Sequence, residues 1–372
     1  MANVPFLLQL MIGPGIPVPA PKSVIDALVS VQVTSNTEGA SGFQLTFTLS
    51  SNSALPTLFL LTGNSPLPIF RVIIMVIVRG LPDVLMDGVV TRTEVAPGEA
   101  GQSTLTVIGE DLSKLMDYIP LDGLPYPAMP PEARVAAMVG RYAFAGIVPI
   151  VVPTGDFPNP LDQIPKQQGT DLQYTKYLAE LVGYDFYVDP GPLPLQSIAY
   201  WGPRITLSVP QGALNVNMDA WTNVTAMNFT YDSDSAVLPI VIIQPRETSI
   251  PIPIPIPNVN PLAPPLGLIP PLPKGIELID GTKRSPLLAI LLGLAKASKS
   301  ANAVGATGSL SVARYGKVLR ARKLVGVRGG GTAFDGLYFV KSVTHKIKRG
   351  EYMQDFTLSR NALVSITPRV LP

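Results

Sequence analysis

The sequence predicts a mainly β protein in which two antiparallel β-barrel modules flank a small α/β domain. The C-terminal stretch Asp335–Leu363 alternates apolar and polar residues around a glycine-containing turn, as a long β-hairpin does. An earlier stretch, Asp87–Leu112, shows a looser version of the same pattern. Residues 119–190 between them carry helix signals instead, so a different domain interrupts the repeated unit.

The C-terminal hairpin can be registered from its sequence. With residues 348–351 as the turn, Gly350 supplies the backbone angle that a tight turn requires. Counting outward from this turn predicts one apolar face and one polar face. The predicted apolar-face pairs are Ile347 with Tyr352, His345 with Gln354, Val343 with Phe356, and Lys341 with Leu358. The polar-face pairs are Lys346 with Met353, Thr344 with Asp355, and Ser342 with Thr357.

The first module, predicted for residues 23–118, reads as a series of strands. Phe43–Leu49 alternates and Phe70–Val78 is continuously apolar, which indicates a half-buried and a fully buried strand. Asp87-Gly88 is expected to open a hairpin whose second strand returns at Ser103–Ile108. Residues 1–22 precede this module and are apolar but interrupted by prolines, which predicts an extended arm.

Helix signals characterise the predicted α/β domain, residues 119–195. Pro131 is placed like the first residue of a helix. Thr170 and Gln173 form a capping box for a second helix, and Gly183 is a natural end for it.

The second module is predicted to span residues 196–372. Its insertion, residues 245–273, is proline-rich, with 10 prolines in residues 251–273, and is predicted to be extended and to lie on a neighbouring surface. Ser285-Pro286 should begin a helix. A loop at Gly305–Gly308 and strands at Leu310–Tyr315 and Val318–Val327 are expected after it.

Composition excludes several kinds of site. The 372 residues contain no cysteine and one histidine, His345, which rules out disulfides, thiolate metal sites and multi-histidine sites. No apolar run approaches the ~18 residues of a membrane span. Residues 274–372 hold 17 Lys and Arg but 5 Asp and Glu, and this asymmetry suggests that the basic end meets an acidic partner or lines a channel.

The sequence predicts no catalytic, cofactor-binding or metal-binding residues. His345 is interpreted as a sheet residue opposite Gln354. Asp232 and Asp234 supply two local carboxylates where a hard cation takes six or more oxygen ligands. Nucleic-acid specificity is not expected, because basic and aromatic residues are not interleaved. We therefore expect a protein that is not an enzyme.

Three stretches, in order along the chain, resemble the late control protein D family of phage baseplate hubs. The residues that carry the resemblance are Gly88 in the first hairpin; Asp171, Leu172 and Gly183 in the α/β domain; and Gly336, Val343, His345, Tyr352, Phe356 and Arg360 in the C-terminal hairpin. The proline-rich stretch and the N-terminal arm depart from the family pattern.

The resemblance implies a structural role in a contractile injection machine: a phage tail, a tailocin or an extracellular injection system. Each chain would hold two barrels similar to the tail-tube subunit, so that a homotrimer presents six. Such a hub joins the six-fold inner tube to the three-fold spike, which is expected to be a separate protein, and contacts other baseplate subunits. It would assemble in the bacterial cytoplasm and become part of the tail or injection particle.

Two other functions remain open at the level of sequence. A carbohydrate-active or other hydrolytic β-protein would show a deep cleft with two carboxylates of perturbed pKa. A β-rich binding module or adhesin would use the apolar insertion to dock a partner.

Overall fold

The computed structural model describes residues 6–49, 59, 69–97, 103–157, 164–244, 250–258, 260–281 and 285–366. The strands are, in chain order, β1 (Phe6–Pro14), β2 (Val18–Pro19), β3 (Leu28–Asn36), β4 (Gly42–Leu49), β5 (Phe70–Val78), β6 (Leu81–Pro97), β7 (Ser103–Asp111), β8 (Ile147–Val151), β9 (Asp185–Pro190), β10 (Ser197–Gly202), β11 (Gln211–Asn215), β12 (Val224–Tyr231), β13 (Val237–Ile243), β14 (Ile252–Pro255), β15 (Gly267–Ile269), β16 (Gly275–Asp280), β17 (Val304–Ser311), β18 (Leu324–Arg328), β19 (Gly336–Lys348), β20 (Glu351–Arg360) and β21 (Leu363–Ser365). The helices are α1 (Lys22–Ala27), α2 (Pro131–Gly140), α3 (Asp171–Val182), α4 (Pro286–Ser300) and α5 (Val312–Tyr315), with short 3-10 helices at Leu112–Asp117, Ala143–Ala145 and Asp219–Trp221.

One sheet contains two strand arrays of the same topology. The first array has the spatial order β3-β4-β7-β6-β5, and the second has the order β12-β17-β20-β19-β18. In both, the first and second strands pair, and the second then pairs with the fifth, the fifth with the fourth and the fourth with the third. An extra strand extends each array beyond its third strand: β1, antiparallel to β5, and β11, parallel to β18. The predicted mainly β class with an α/β insert is confirmed.

The two arrays also share the positions of their β-bulges. In the β6–β7 hairpin the extra residue is Thr91, and in the β19–β20 hairpin it is Lys341. The two arrays can be superposed in sequence by placing Thr91 on Lys341 and following the residue pairing from strand to strand. This alignment also places a second pair of bulges on each other, at Val29 in β3 and Thr225 in β12. A bulge changes strand twist and is a defined feature of a fold. The arrays therefore share two bulge positions as well as their strand order, and both features identify them as structural repeats.

The arrays are joined edge to edge. We call this contact the β3–β19 junction: residues 30–36 of β3 pair antiparallel with residues 342–348 of β19. A single apolar core runs beneath both arrays, and half-buried Phe6 of β1 packs edge-on against Tyr352 of β20 in this core, with ring centroids 5.4 Å apart. The two arrays thus share one folding core.

The α/β domain packs a three-stranded sheet, in the order β8-β10-β9, against helices α2 and α3. Both predicted helix starts are confirmed. Pro131 opens α2, and the Thr170 hydroxyl caps α3 while Gln173 returns a bond to the Thr170 amide. Gly183 ends α3 with φ of 73°, and a Cβ there would lie 2.3 Å from the Ala295 Cβ of α4. Glycine therefore allows the two helices to meet.

The segment between β12 and β17 forms a small separate layer. β13 pairs with β14 on one side and with β16 on the other, and α4 covers one face of this sheet. The proline-rich stretch supplies β14 as an edge strand, where proline's missing amide is tolerated. It also supplies β15, which pairs with β21, while Leu266 packs against Phe339. The stretch is extended and lies on the second array; residues 245–249 and 259 fall outside the described part.

The structure differs from the expectations at several positions. The bulge at Lys341 places Val340, and not Lys341, opposite Leu358. Asp87-Gly88 does stand at the open end of a hairpin, with Gly88 opposite Asp111, but β6 begins earlier, at Leu81, and runs continuously through both residues from a turn at Arg79-Gly80.

Gly305–Gly308 is strand and not loop. These residues lie within β17, where a Cβ on Gly308 would meet the Phe356 ring at 2.7 Å. The glycine is present because an aromatic ring covers it, and not because the chain turns. The strand then ends at Ser311 and continues as α5, and β18 begins only at Leu324.

Replacement of Gly109 by alanine tests the packing between β4 and β7. A Cβ at Gly109 would lie 2.2 Å from the Phe43 ring and 2.4 Å from the Val89 carbonyl oxygen, both fixed in the core. We expect Gly109→Ala to lower the free energy of unfolding by about 3 kcal/mol, as overpacking does. In the control Gly140→Ala the new methyl group meets nothing within 4 Å at the end of α2, and stability should be unchanged or slightly higher. Equal stability of the two variants in denaturant titrations would contradict this account.

Candidate assembly surface

A continuous polar face crosses both arrays. We call it the polar face: it is the surface of β12, β17, β20, β19, β3, β4, β7 and the distal half of β6 that points away from the apolar core. The register aligns its members in rows across the strands. Its polar members include Asn228, Thr307, Thr357, Ser342, Thr344, Lys346, Gln32, Thr34, Gln44, Thr46, Thr106, Arg92 and Glu94, and all are exposed or half-buried.

Charge on the polar face is sparse and balanced. Lys346 pairs with Asp355 at 2.5 Å, and Arg92 pairs with Glu94 at 2.6 Å. Neighbouring positions carry hydroxyl and amide groups. A face of this composition binds water well and presents no strong field of either sign.

The C-terminal hairpin has the predicted register at its turn end. The pairs Ile347 with Tyr352 and Val343 with Phe356 face the core, and Thr344 with Asp355 lies on the polar face. Gly350 has φ of 76°, as the turn requires. The sequence did not reveal that β19 has a second neighbour, β3.

Side chains reinforce the β3–β19 junction. The hydroxyl oxygens of Thr34 and Thr344 lie 3.2 Å apart across it, and the Thr37 hydroxyl donates to the Lys341 carbonyl oxygen at 2.7 Å. Arg322 donates to the carbonyl oxygen of Asn36. The pairing is thus fixed by contacts at its end as well as by the backbone ladder.

Glu38 lies in the loop that follows β3 and collects cations from three elements. Its carboxylate oxygens lie 3.2 Å from Lys341 and Arg204 and 3.4 Å from Lys299. Partial burial by itself raises the pKa of Glu38, but these cations outweigh it and lower the pKa to about 2. Glu38 therefore stays ionised and ties the junction to the α/β domain and to α4.

The basic C-terminal part of the chain finds acidic partners within the same molecule. Within the described ranges, five cations from residues 274–372 contact carboxylates from residues 1–273. These are Lys274 with Asp234, Lys299 and Lys341 with Glu38, Arg320 with Asp83, and Arg322 with Asp189. A substantial part of the charge asymmetry is therefore used for contacts between the two halves of the chain.

His345 is buried in a hydrogen-bonded cluster. Its Nδ1 lies 2.7 Å from the Tyr352 hydroxyl and 3.2 Å from Gln354 Nε2. The Gln354 amide is oriented by Leu319, whose backbone donates to Oε1 and accepts from Nε2. Nδ1 therefore accepts, the ring proton sits on Nε2, and burial with nearby Arg320 lowers the pKa of His345 to about 3. The histidine is a neutral sheet residue.

The other residues of the resemblance hold backbone or core positions. A Cβ on Gly88 would lie 2.2 Å from the Glu110 carbonyl oxygen. Asp171 begins α3 fully buried and accepts from Arg141, Tyr142 and Gln167, while Leu172 enters the α/β core. At the end of β20, buried Arg360 donates to the Asp335 carbonyl oxygen at 2.9 Å, next to the extended start of β19 at Gly336. The structure brings together Val343, His345, Tyr352 and Phe356, and places Asp171 and Gly183 in another core.

Buried charge beneath the first array serves packing. Arg71 of β5 makes two hydrogen bonds to Asp87 of β6, at 2.6 and 2.7 Å. Burial raises the pKa of Asp87, and these bonds oppose that shift. Ser197 of β10 lies 3.5 Å from the same carboxylate, so the pair also links the array to the α/β domain.

The two larger clefts each contain two carboxylates: Glu180 and Asp185 in a cleft of about 600 Å³, where Asp185 is paired with Arg204, and Asp26 and Glu351 in one of about 760 Å³. A cleft of about 410 Å³ lies between Asp189 and the loop before β18, and Asp189 is the one carboxylate among its described lining residues. Burial raises the pKa of Asp189, but Arg322 opposes this and forms an ion pair with it. Within the described ranges, no three His, Cys, Asp or Glu side chains gather as a metal site would, and no helix has the length and apolarity to cross a membrane.

No protein-family model and no curated protein matches the sequence. Solved structures do match the fold. A tail protein from Neisseria meningitidis MC58 aligns with a TM-score of 0.62 and 14% identity over 96% of this chain and 97% of that one. The 43 kDa tail protein of prophage MuSo2 from Shewanella oneidensis gives 0.65 and 12% over 96% and 100%.

This chain has the fold of phage tail proteins. A third match, a component of the type VI secretion system of E. coli described as similar to tail proteins of bacteriophage T4, gives a TM-score of 0.52 and 10% identity over 93% of this chain and 77% of that one. Identities this low establish the fold alone.

Acidification tests the burial of His345. The unfolded chain takes up a proton on His345 near pH 6.5 and the folded chain only near pH 3, so stability falls as pH falls between these values. From pH 7 to pH 5, wild-type protein should lose about 2 kcal/mol more stability than His345→Gln, which keeps polar groups but does not titrate. Urea unfolding followed by tryptophan fluorescence measures both curves. Parallel pH dependences would contradict a neutral buried histidine.

Proposed function

We propose that this chain is the structural hub of a contractile injection machine, where a trimeric ring joins the six-fold inner tube to the three-fold spike. The observation that carries the proposal is the pair of repeated strand arrays joined edge to edge in one chain. Three chains then present six equivalent arrays, which matches a six-fold tube above and a three-fold spike below. Each array takes the part of one tail-tube-like barrel.

The geometry of the β3–β19 junction supports ring formation. It joins the first strand of one array to the fourth strand of the other, so its two sides are different surfaces. A contact of this kind, repeated by rotation, generates a closed ring or an open filament and not a two-fold dimer. A ring closes when six arrays complete one turn, with a contact inside each chain followed by a similar contact to the next chain.

The polar face supports a channel role. In a ring of this kind it lines the lumen, where hydroxyl, amide and balanced ionic side chains keep the passage wet. The core side of the same strands remains covered by α1 and β1. Cargo of either charge would meet little electrostatic resistance from this surface.

The expected partners follow from this role. They are two further copies of the chain, the inner-tube hexamer, a separate spike protein and other baseplate subunits. The motifs that resemble late control protein D fit the same assignment. Assembly would take place in the bacterial cytoplasm, and the mature location would be the tail or injection particle. We assign no catalytic step, cofactor or metal to the chain.

Native mass spectrometry of the full-length protein tests the proposal. We expect a species of three times the 39.6 kDa chain mass. Averaged electron micrographs should show a ring with six lobes and a central opening, because each chain contributes two similar arrays. A monomer at every concentration tested, an even-numbered oligomer, or a ring with three undivided lobes would contradict the trimeric hub.

A further inference from the structure

Each array has one strand edge that no other described strand pairs with, although the corresponding edge of the other array is paired. β19 divides its edge between two neighbours: residues 336–339 pair with β18, and residues 342–348 pair with β3. β6, its counterpart, pairs with β5 only as far as Val89. Among the described residues, no strand occupies that edge over Val90–Pro97. Likewise β12, the counterpart of β3, pairs with β17 and with no other strand in the described part of the chain.

We propose that the free edge of β12 in one chain pairs with the free edge of Val90–Pro97 in a second copy, repeating the β3–β19 junction between chains. This inference rests on the ring proposed above and names the strands that close it. The occupant must be another copy, because six strands lie between β12 and β6 in the sheet. Seven spacings of about 4.8 Å separate the two strands by roughly 34 Å along the sheet of one chain.

The aligned bulges fix the register of the new contact. In the junction, Thr34 of β3 lies opposite Thr344 of β19. The corresponding residues are Thr230 of β12 and Glu94 of β6, so these two would lie opposite each other between chains. The same shift places Asp232 opposite Arg92. These two side chains have opposite charge, as directly opposed positions on a sheet face favour.

Inner-face apolar side chains support the same contact. In the junction, Val33 lies opposite His345. The corresponding residues, Phe229 and Val95, would lie opposite each other between chains. Val95 points to the core side with Leu105 yet is 51% exposed, and Tyr231 points to the core side with Val304 yet is 45% exposed. Exposed edges that combine free backbone groups with apolar side chains tend to acquire a strand. The proposed pairing covers both residues.

Disulfide cross-linking tests the register, and the absence of native cysteine gives a clean background. The test protein carries Thr230→Cys and Glu94→Cys. A register-shifted control carries Thr230→Cys and Arg92→Cys, two residues away on the same face. A geometric control carries Thr34→Cys and Thr344→Cys, the corresponding positions of the junction within one chain. All three are full-length proteins oxidised at the same concentration.

We expect the test pair to yield covalent dimers and trimers on non-reducing gels, at least about tenfold more than the shifted pair, because a two-residue slip exceeds disulfide reach. The geometric control should oxidise within the chain and run as a monomer. A trimer by native mass without cross-linking of the test pair, or with preference for the shifted pair, would overturn this inference and leave the hub intact. A monomer by native mass would overturn both.

Discussion

Antiparallel pairing of β3 with β19 is the constraint on which the rest of this structure depends. It joins two strand arrays that would each expose a long edge if they were separate, and exposed edges invite uncontrolled association. It also aligns the two apolar faces over one core and the two polar faces into one surface. The backbone ladder supplies the direction, while Thr34, Thr344 and the loop carboxylate Glu38 prevent the strands from slipping.

The sequence predicted what is local. A glycine turn and an alternating pattern place Ile347, His345 and Val343 on one face with the correct partners, because side chains alternate strictly along a strand. Local signals also located both helices of the α/β domain: Pro131 in the first turn of α2, and the capping box of Thr170 and Gln173 at the start of α3. The register failed only at Lys341, where a bulge inserts a residue that no alternating pattern can report.

What the sequence could not predict is long-range. The partner of β19 lies about 300 residues earlier in the chain, and β3 carries no motif that names it. A glycine misleads for the same reason. Gly308 looks like a turn residue, but it lies in strand β17 under the Phe356 ring. Its lack of a side chain makes room for a residue that is distant in sequence.

The two arrays have the same structure although their sequences differ. Strand order and bulge position fix how each array bends, whereas individual side chains can change as long as one face stays apolar. His345 occupies the place that Val95 holds in the first array, and it is tolerated because Tyr352 and Gln354 satisfy it. The charge asymmetry has a similar origin. Within one chain, cations of the second array pair with carboxylates of the first array and of the α/β domain. The two sides of each such contact are different surfaces, so one side can be basic and the other acidic. A contact between unlike surfaces permits this, whereas a two-fold contact would place like charges together at its axis.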